Sequence, residues 1–478
     1  MDHLHPRGDA LVDTGIKARG ALDKKPSPLL VANPDRATMY VCGVTVYDHC
    51  HLGHARSACA FDVIARHVRS KVGRLIFARN ITDIEDKIIA RAQQRGIPWQ
   101  DLASAMAASM REDFAALGCA PPDVEPAATD HVPQMQAHVA ALLDKRLAYV
   151  DEHGSVWRDG SSWNGVGKVS GRKIDDLWSG ARVSPHPGKR GPRDFVLWKA
   201  AKPGEPFWDS PWGAGRPGWH IECSAMAREA LGDTLDIHGG GEDLKFPHHE
   251  CECAQSEPVT GSPLARKWLH NGFVVLPKDD GSFDEMHKSS GNALNIKGLL
   301  ARYPGEAIRA WALSAHYRQP LPYSEDGVIQ AQTRAWRWSL ALAAAKSHGA
   351  RPDGPLDAEI AAALDGDFNT PQAFARLDAL AKKVRSCASD VDSGSALASG
   401  MAHLGFGWTP ADDLAPIGRA AATDAPPELA ALLERREAAR RLRNWAQSDA
   451  LRDEIANLGF EVLDGPQGPQ TRRRGSKT

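Results

Sequence analysis

TMYVCGVTV, residues Thr38 to Val46, is an apolar, β-branched run, and HLGH (His51 to His54) followed by ARSACAFDVIARH (Ala55 to His67) comes soon after it. The order reads as a strand, a turn holding one glycine, and a helix expected over about residues 55–70. A turn that enters a helix exposes unpaired backbone N–H groups and the positive end of the helix dipole. Two imidazoles placed there suit an anion such as a nucleotide phosphate. A second short motif, HKSSGN (His287 to Asn292), sets Lys288 among small polar residues and a glycine, as in a loop that closes over phosphates.

Outward from the first strand the pattern continues with RLIFARNIT (Arg74 to Thr82) as a strand and DKIIARAQQRG (Asp86 to Gly96) as a helix. A strand–helix–strand order implies a parallel sheet with its site at the carboxyl ends of the strands. TLDIHGGGEDL (Thr234 to Leu244) is a further strand ending in three glycines, and FPHHECECAQSE begins a helix. The fold class expected is α/β: a Rossmann-like parallel-sheet catalytic domain with an insertion, followed by α-helical C-terminal domains.

The chain has 478 residues, enough for about three or four domains. Residues 1–37 read as a polar N-terminal extension, 38–275 as the catalytic domain with an insertion at about 121–189, and 276–330 as the region of the lysine loop. Ala-, Leu- and Arg-rich segments then suggest a helical bundle over 331–415 and a last region over 416–478 with a basic tail. The 58 basic and 60 acidic residues nearly balance, which excludes a uniformly basic nucleic-acid coat and leaves room for local patches. No run is long and apolar enough for a membrane span, and the first residues lack the apolar core of a signal peptide. Eight cysteines without zinc-finger spacing point to a reducing, cytoplasmic setting rather than a disulfide framework.

Several residues have metal-ligand chemistry: Cys42, Cys223, His248, His249, Glu250, Cys251, Glu252 and Cys253. Residues four apart share a helix face, so His248 with Glu252, or His249 with Cys253, can hold one ion. With Cys42 and Cys223 the set would be S, S, N and O, which suits zinc. The competing view makes the two cysteines buried apolar side chains and HHECEC a polar helix face. A metal beside the first strand would separate a thiol from a hydroxyl by ligand chemistry, where an apolar pocket gains only about 10- to 200-fold for one methylene.

The chain resembles the cysteinyl-tRNA synthetases, a family of class I aminoacyl-tRNA synthetases. CGVTVYDHCHLGHARS (Cys42 to Ser57), ARNITDIEDKII (Ala78 to Ile89), GRPGWHIECSAM (Gly215 to Met226), LDIHGGGEDLKFPHHE (Leu235 to Glu250) and WLHNGF (Trp268 to Phe273) occur in the family's order. DFNTPQAFARL (Asp367 to Leu377) and SDALRDEIANLGFEVLDGPQG (Ser448 to Gly468) match its helical C-terminal region, so the likeness runs from about residue 38 to 468. The resemblance implies ATP-dependent activation of L-cysteine to an adenylate and its transfer to the 3′ ribose of tRNA(Cys). It implies one zinc ion on Cys42, Cys223, His248 and Glu252, and Mg²⁺ brought with ATP. It makes His51, His54 and Lys288 catalytic, with Gly53 and the glycines Gly239, Gly240 and Gly241 also at ATP. It sets Gly43, Thr82, Trp219 and His238 around the substrate cysteine. A monomer without an editing domain is expected.

Three departures from the family pattern stand out. Where the family's loop reads KMSKS, this chain has Glu285, Met286, His287, Lys288 and Ser289, which predicts slower adenylation or an altered loop. Cys251 and Cys253 add thiols near the metal ligands. The tryptophan expected after Gly468 is missing, which leaves anticodon contacts open. Two other functions share the motifs: a ligase passing activated cysteine to an aminosugar or other amine, and a tRNA-binding paralogue that has lost adenylation. The long helical C-terminal region argues against the first, and the intact HLGH and Lys288 against the second.

Overall fold

The computed structural model describes residues 10–172, 188–277, 283–285, 294–416, 427–442, 444–458, 460–465 and 468–473. Its centre is a four-stranded, wholly parallel sheet of β1 (Ala37–Thr45), β2 (Leu75–Thr82), β3 (Leu235–Gly241) and β4 (Ala265–Asn271), in the order β4-β3-β1-β2. The strands are largely buried on both faces, and β1 accordingly reads as a near-continuous apolar run, whereas β4 has the exposed Arg266 near its start and becomes buried from Trp268 onward. The chain runs from β1 through helix α1 (Leu52–Arg69) to β2 on one side, and later enters β3 on the other side of β1. Strand order therefore reverses between β1 and β3, and a parallel sheet opens a crevice at such a point.

Helix α1 starts at Leu52, earlier than the apolar periodicity alone suggests. His51 caps it: its Nδ1 accepts the Gly53 N–H at 3.0 Å, and His54 Nδ1 accepts the His51 N–H at 3.2 Å. The reciprocal pair does what Ser and Glu do in an ordinary capping box.

The sheet that begins inside the expected insertion runs on past residue 189. Ala148–Val150, Val156–Arg158, Phe195–Ala200 and Gly215–Pro217 form a four-stranded antiparallel sheet that delivers the chain to α2 (Trp219–Leu231). The polar N-terminal extension holds a two-stranded antiparallel ribbon, Val12–Ala18 with Ser27–Val31. The buried Asp236 of β3 fastens it, accepting from the Ala32 N–H at 2.8 Å and the Thr38 N–H at 2.9 Å. The run before the lysine motif forms a small ribbon, Val274–Pro277 against Phe283–Glu285, with Val275 opposite Glu285. Lys288 and His287 lie outside the described residues, as do 173–187 and the last five residues of the basic tail.

From Gly305 the chain is mainly helical. One apolar core joins the sheet to this bundle, running from Val44 and Leu52 through Trp311 and Trp338 to Phe374, Met401 and Leu414. The long helix Glu325–Ser347 packs against Gly305–Ala312, Thr370–Ser386 and Val391–His403. A buried ion pair reinforces the seam: the Arg309 guanidinium contacts Asp62 of α1 and donates to the Leu404 carbonyl at 2.8 Å. The helices Pro427–Arg441 and Trp445–Asn457 and the ribbon Phe460–Gly465 with Gly468–Arg473 follow, with a separate core of Leu429, Leu432, Leu451, Ile455 and Val462. Among the described residues no helix is long and apolar enough to cross a membrane.

Candidate active site

At the reversal of strand order lies a cleft of about 720 Å³. Its lining includes Cys42 and Gly43 of β1, His51, Gly53 and His54 at the start of α1, Trp219 of α2, and Gly241 at the end of β3. Residues that the sequence assigned to an amino acid, a metal and a nucleotide thus face one space.

The turn after β1 is fixed in detail. The rings of His51 and His54 stack with centroids 3.9 Å apart. Because each Nδ1 accepts a backbone N–H, the neutral tautomer of each ring carries its proton on Nε2. The turn also holds the chain that returns from the lysine motif. Leu52 N–H donates to the Leu294 carbonyl at 3.0 Å, and Ile296 N–H to the Cys50 carbonyl at 2.8 Å.

Gly43 sits where the pairing of β1 with β2 slips, between Val41 and Val44. A Cβ there would stand 1.7 Å from the Asn80 carbonyl oxygen, so only glycine fits. Its N–H donates to Asn80 Oδ1 at 2.8 Å, and the same oxygen lies 3.6 Å from the Cys223 thiol. The bulge thus presents Cys42 towards α2 and the helix α3 (His248–Thr260).

Cys42, Cys223, His248 and Glu252 converge, with one ligand atom from each lying within 4.8 Å of all the others. All four are buried. A second set, Cys42, His238, His249 and Glu252, meets the same distance test and shares two members. His238 is already engaged, its Nε2 bonded to Glu252 Oε2 at 2.9 Å and its ring stacked on Trp268. His248 has Nδ1 3.0 Å from His220 Nδ1 and Nε2 3.1 Å from Glu252 Oε1. The two sulfurs, one imidazole and one carboxylate of the first set form a compact donor group, and the cluster fits a metal ion. Cys251 and Cys253 belong to neither set, and burial pushes both thiols up, so they are inert packing groups.

The charges agree with such a centre. A hydrogen bond from Cys42 brings Cys223 down to about 6, while burial and then Cys223 push the Cys42 thiol up. Against its burial, Glu252 and Cys223 raise His248 to about 10. Despite burial, His238 and His248 hold the Glu252 carboxyl well below the usual carboxylate range. Burial followed by repulsion from His248 lowers His220 to about 3, so it stays a neutral partner.

Some expected residues stand behind the wall. Thr82 is buried and donates from Oγ1 to Glu222 Oε2 at 3.1 Å, and His238 is buried against Glu252. Of the three glycines, Gly241 lines the cleft. Gly239 is required by packing, since a Cβ would lie 2.3 Å from the Phe61 ring, and Gly240 sits under Leu244 and His249. Trp219 lines the cleft with its ring 4.5 Å from that of His248. Sequence reasoning missed Asn80, His220 and Glu222, each beside a singled-out position in a quoted motif. Their partners are distant in sequence, and only the fold brings them together.

Comparison with known proteins gives a consistent picture. Residues 29–333 match the family profile described as the tRNA synthetases class I (C) catalytic domain. Residues 359–405 match a DALR domain, and 422–472 the cysteinyl-tRNA ligase anticodon binding domain. The cysteine–tRNA ligase of Alkalilimnicola ehrlichii is 47% identical over 92% of this chain and 96% of its own length. That of Dichelobacter nodosus is 43% identical over 94% and 97%, respectively. Among solved structures, LeuRS of Agrobacterium radiobacter K84, in a ternary complex with tRNA and LeuAMS, shares 11% identity. It covers 79% of this chain and 84% of its own, with a TM-score of 0.53, and so shares the fold.

Proposed function

This chain belongs to the class I cysteinyl-tRNA synthetases and joins cysteine to tRNA, and from that premise we propose how its own residues divide the work. The observation that carries the reading is the convergence of Cys42, Cys223, His248 and Glu252, with Cys42 lining the cleft that also holds His51 and His54.

In the first step the cysteine carboxylate attacks the α-phosphorus of ATP, giving cysteinyl-adenylate and pyrophosphate. A terminal ribose hydroxyl of tRNA(Cys) then attacks the adenylate carbonyl, and AMP leaves. Positioning and charge stabilisation are what such phosphoryl chemistry asks of a protein. The Nε2–H groups of His51 and His54 donate to the phosphate oxygens as charge builds at the α-phosphate, helped by the dipole of α1. The resemblance assigns Lys288, outside the described residues, to the departing pyrophosphate. Gly53 and Gly241 let the nucleotide approach the backbone.

Cys42, Cys223, His248 and Glu252 would hold zinc, which would supply a soft site that takes a thiolate in preference to a hydroxyl. Gly43 and Trp219 border the amino acid. Thr82 acts through Glu222, and His238 through Glu252, keeping the acidic groups oriented. Mg²⁺ enters with ATP. The anticodon-binding segment at 422–472 favours tRNA over a small amine as acceptor. A cytoplasmic monomer is the assembly we propose.

The test is cysteine-dependent ATP–pyrophosphate exchange with serine as control, alongside metal analysis expecting one zinc per chain. Exchange with cysteine alone supports the reading. Exchange absent in protein with its full metal complement would count against it and favour a paralogue without adenylation.

A further inference from the structure

One wall of the cleft is used by neither the metal cluster nor the histidine turn. It is made of Thr45 and Tyr47 after β1, and of Lys87, Ala90, Arg91 and Gln94 from the helix Asp86–Arg95. The four helix positions follow the i, i+3, i+4, i+7 spacing of a single face, a stripe about 10 Å long. Lys87, Ala90 and Gln94 are exposed and Arg91 half-buried, so the stripe lies at the mouth of the cleft.

Its chemistry is that of a strand-binding edge. Lys87 Nζ stands 5.6 Å from the centre of the Tyr47 ring. The carboxylates around the stripe are engaged, Asp86 by Lys199 at 2.6 Å and by Arg216. Asp48 lies 3.0 Å from Arg91 and 3.8 Å from Arg95, and Glu85 accepts the Lys87 backbone N–H at 2.6 Å. Asp86 aside, three cations thus face two carboxylates, and Ala90 leaves the centre of the stripe low. Unpaired RNA is held by such parts: an aromatic face for a base, cations for phosphates, an amide for a base edge.

We infer that Tyr47, Lys87, Arg91 and Gln94 receive the single-stranded 3′ end of the acceptor RNA and lead its terminal ribose to the adenylate. The inference rests on the synthetase reading above, because it assigns the third reactant to the wall that the other two leave open. Tyr47 stacks on a terminal base, Lys87 and Arg91 take phosphodiesters, and Gln94 contacts a base edge.

The experiment is a cycle of two proteins and two RNAs. Full-length protein and its Lys87→Ala/Gln94→Ala variant are titrated with an acceptor-stem minihelix carrying its 3′ tail, and with the same minihelix lacking the tail. Wild type loses about tenfold or more in affinity when the tail is removed, whereas the variant loses less than about twofold. Equal sensitivity of both proteins to tail removal overturns the inference. Exchange without RNA, run in parallel, stays within about twofold of wild type; a fall matching the loss in aminoacylation would assign the wall to ATP and also overturn it. Should neither protein exchange, the activation reading fails, and the binding cycle still decides the wall.

Discussion

His51 combines two tasks in one ring. Its Nδ1 caps α1, and its Nε2–H is the group we assign to the nucleotide phosphates. His51→Asn separates them, because asparagine is among the best N-caps yet has no donor at the Nε2 position. Thermal stability should stay within about 0.5 kcal/mol of wild type, while exchange falls about 100-fold, the usual cost of one transition-state donor. Calorimetry and the exchange assay on one preparation check both halves. Gly43→Ala should behave oppositely: the new methyl meets the Asn80 carbonyl, the bulge shifts, and stability drops by about 1–3 kcal/mol. A denaturant midpoint unchanged from wild type would show that the bulge can absorb a side chain. At this scale the sequence supplied the ligand types and the HLGH turn. It did not supply which nitrogen faces the cleft, because tautomers follow from hydrogen bonds that only the folded turn possesses.

Between elements, α1 is the piece on which most seams converge. Its buried Asp62 meets the buried Arg309 and also Arg66 at 2.7 Å, so removing Arg309 leaves the carboxylate with one weaker partner and unpairs the Leu404 carbonyl, whereas removing Asp62 leaves Arg309 without a counter-charge. Arg309→Met should cost about 3–5 kcal/mol in chemical denaturation, and adding Asp62→Leu should recover part of that loss. Near the carboxyl end of α1, His67 lies 3.1 Å from His403 of Val391–His403 and 2.8 Å from Asp365 of Ala358–Asp365, which Lys71 also contacts. Burial lowers His67 despite Asp365, and burial with repulsion from His67 brings His403 to about 4. Both imidazoles are therefore neutral in the fold, while the unfolded chain takes up protons from about pH 6.5 downwards. The stability they contribute is complete above pH 6.5 and is lost as pH falls towards 4. Melting temperature against pH should be less steep in that window for His403→Gln than for wild type. Periodicity made α1, β2 and the helix after it legible, though not the capped first turn of α1. The N-terminal ribbon was not, because its strands are short and polar on one side, and what holds them is Asp236, far along the chain.

Over the whole molecule, the sheet and the bundle share one core, whereas the helices Pro427–Arg441 and Trp445–Asn457 gather with Val462 around their own. Removing 417–478 should leave cysteine-dependent exchange within about twofold and reduce tRNA charging by at least about 100-fold, with melting of the remaining body unchanged. A parallel loss of exchange would show that the last unit supports the sheet. The change to a mainly helical C-terminal part was readable from composition. Their boundaries were less so, since the insertion's sheet closes only at Pro217 and a continuous apolar core ties together segments that composition separates.

The proposed metal site would also have a history within each act of synthesis. Cys42 and Glu252, in contact in the finished protein, are 210 residues apart along the chain. At about 5–20 residues per second, the first thiol leaves the ribosome roughly 10–40 seconds before the last ligand exists. During that interval the donor set is incomplete and Cys42 lacks its partners. Metal starvation should therefore injure nascent chains more than finished ones, with old enzyme outlasting the supply that built it.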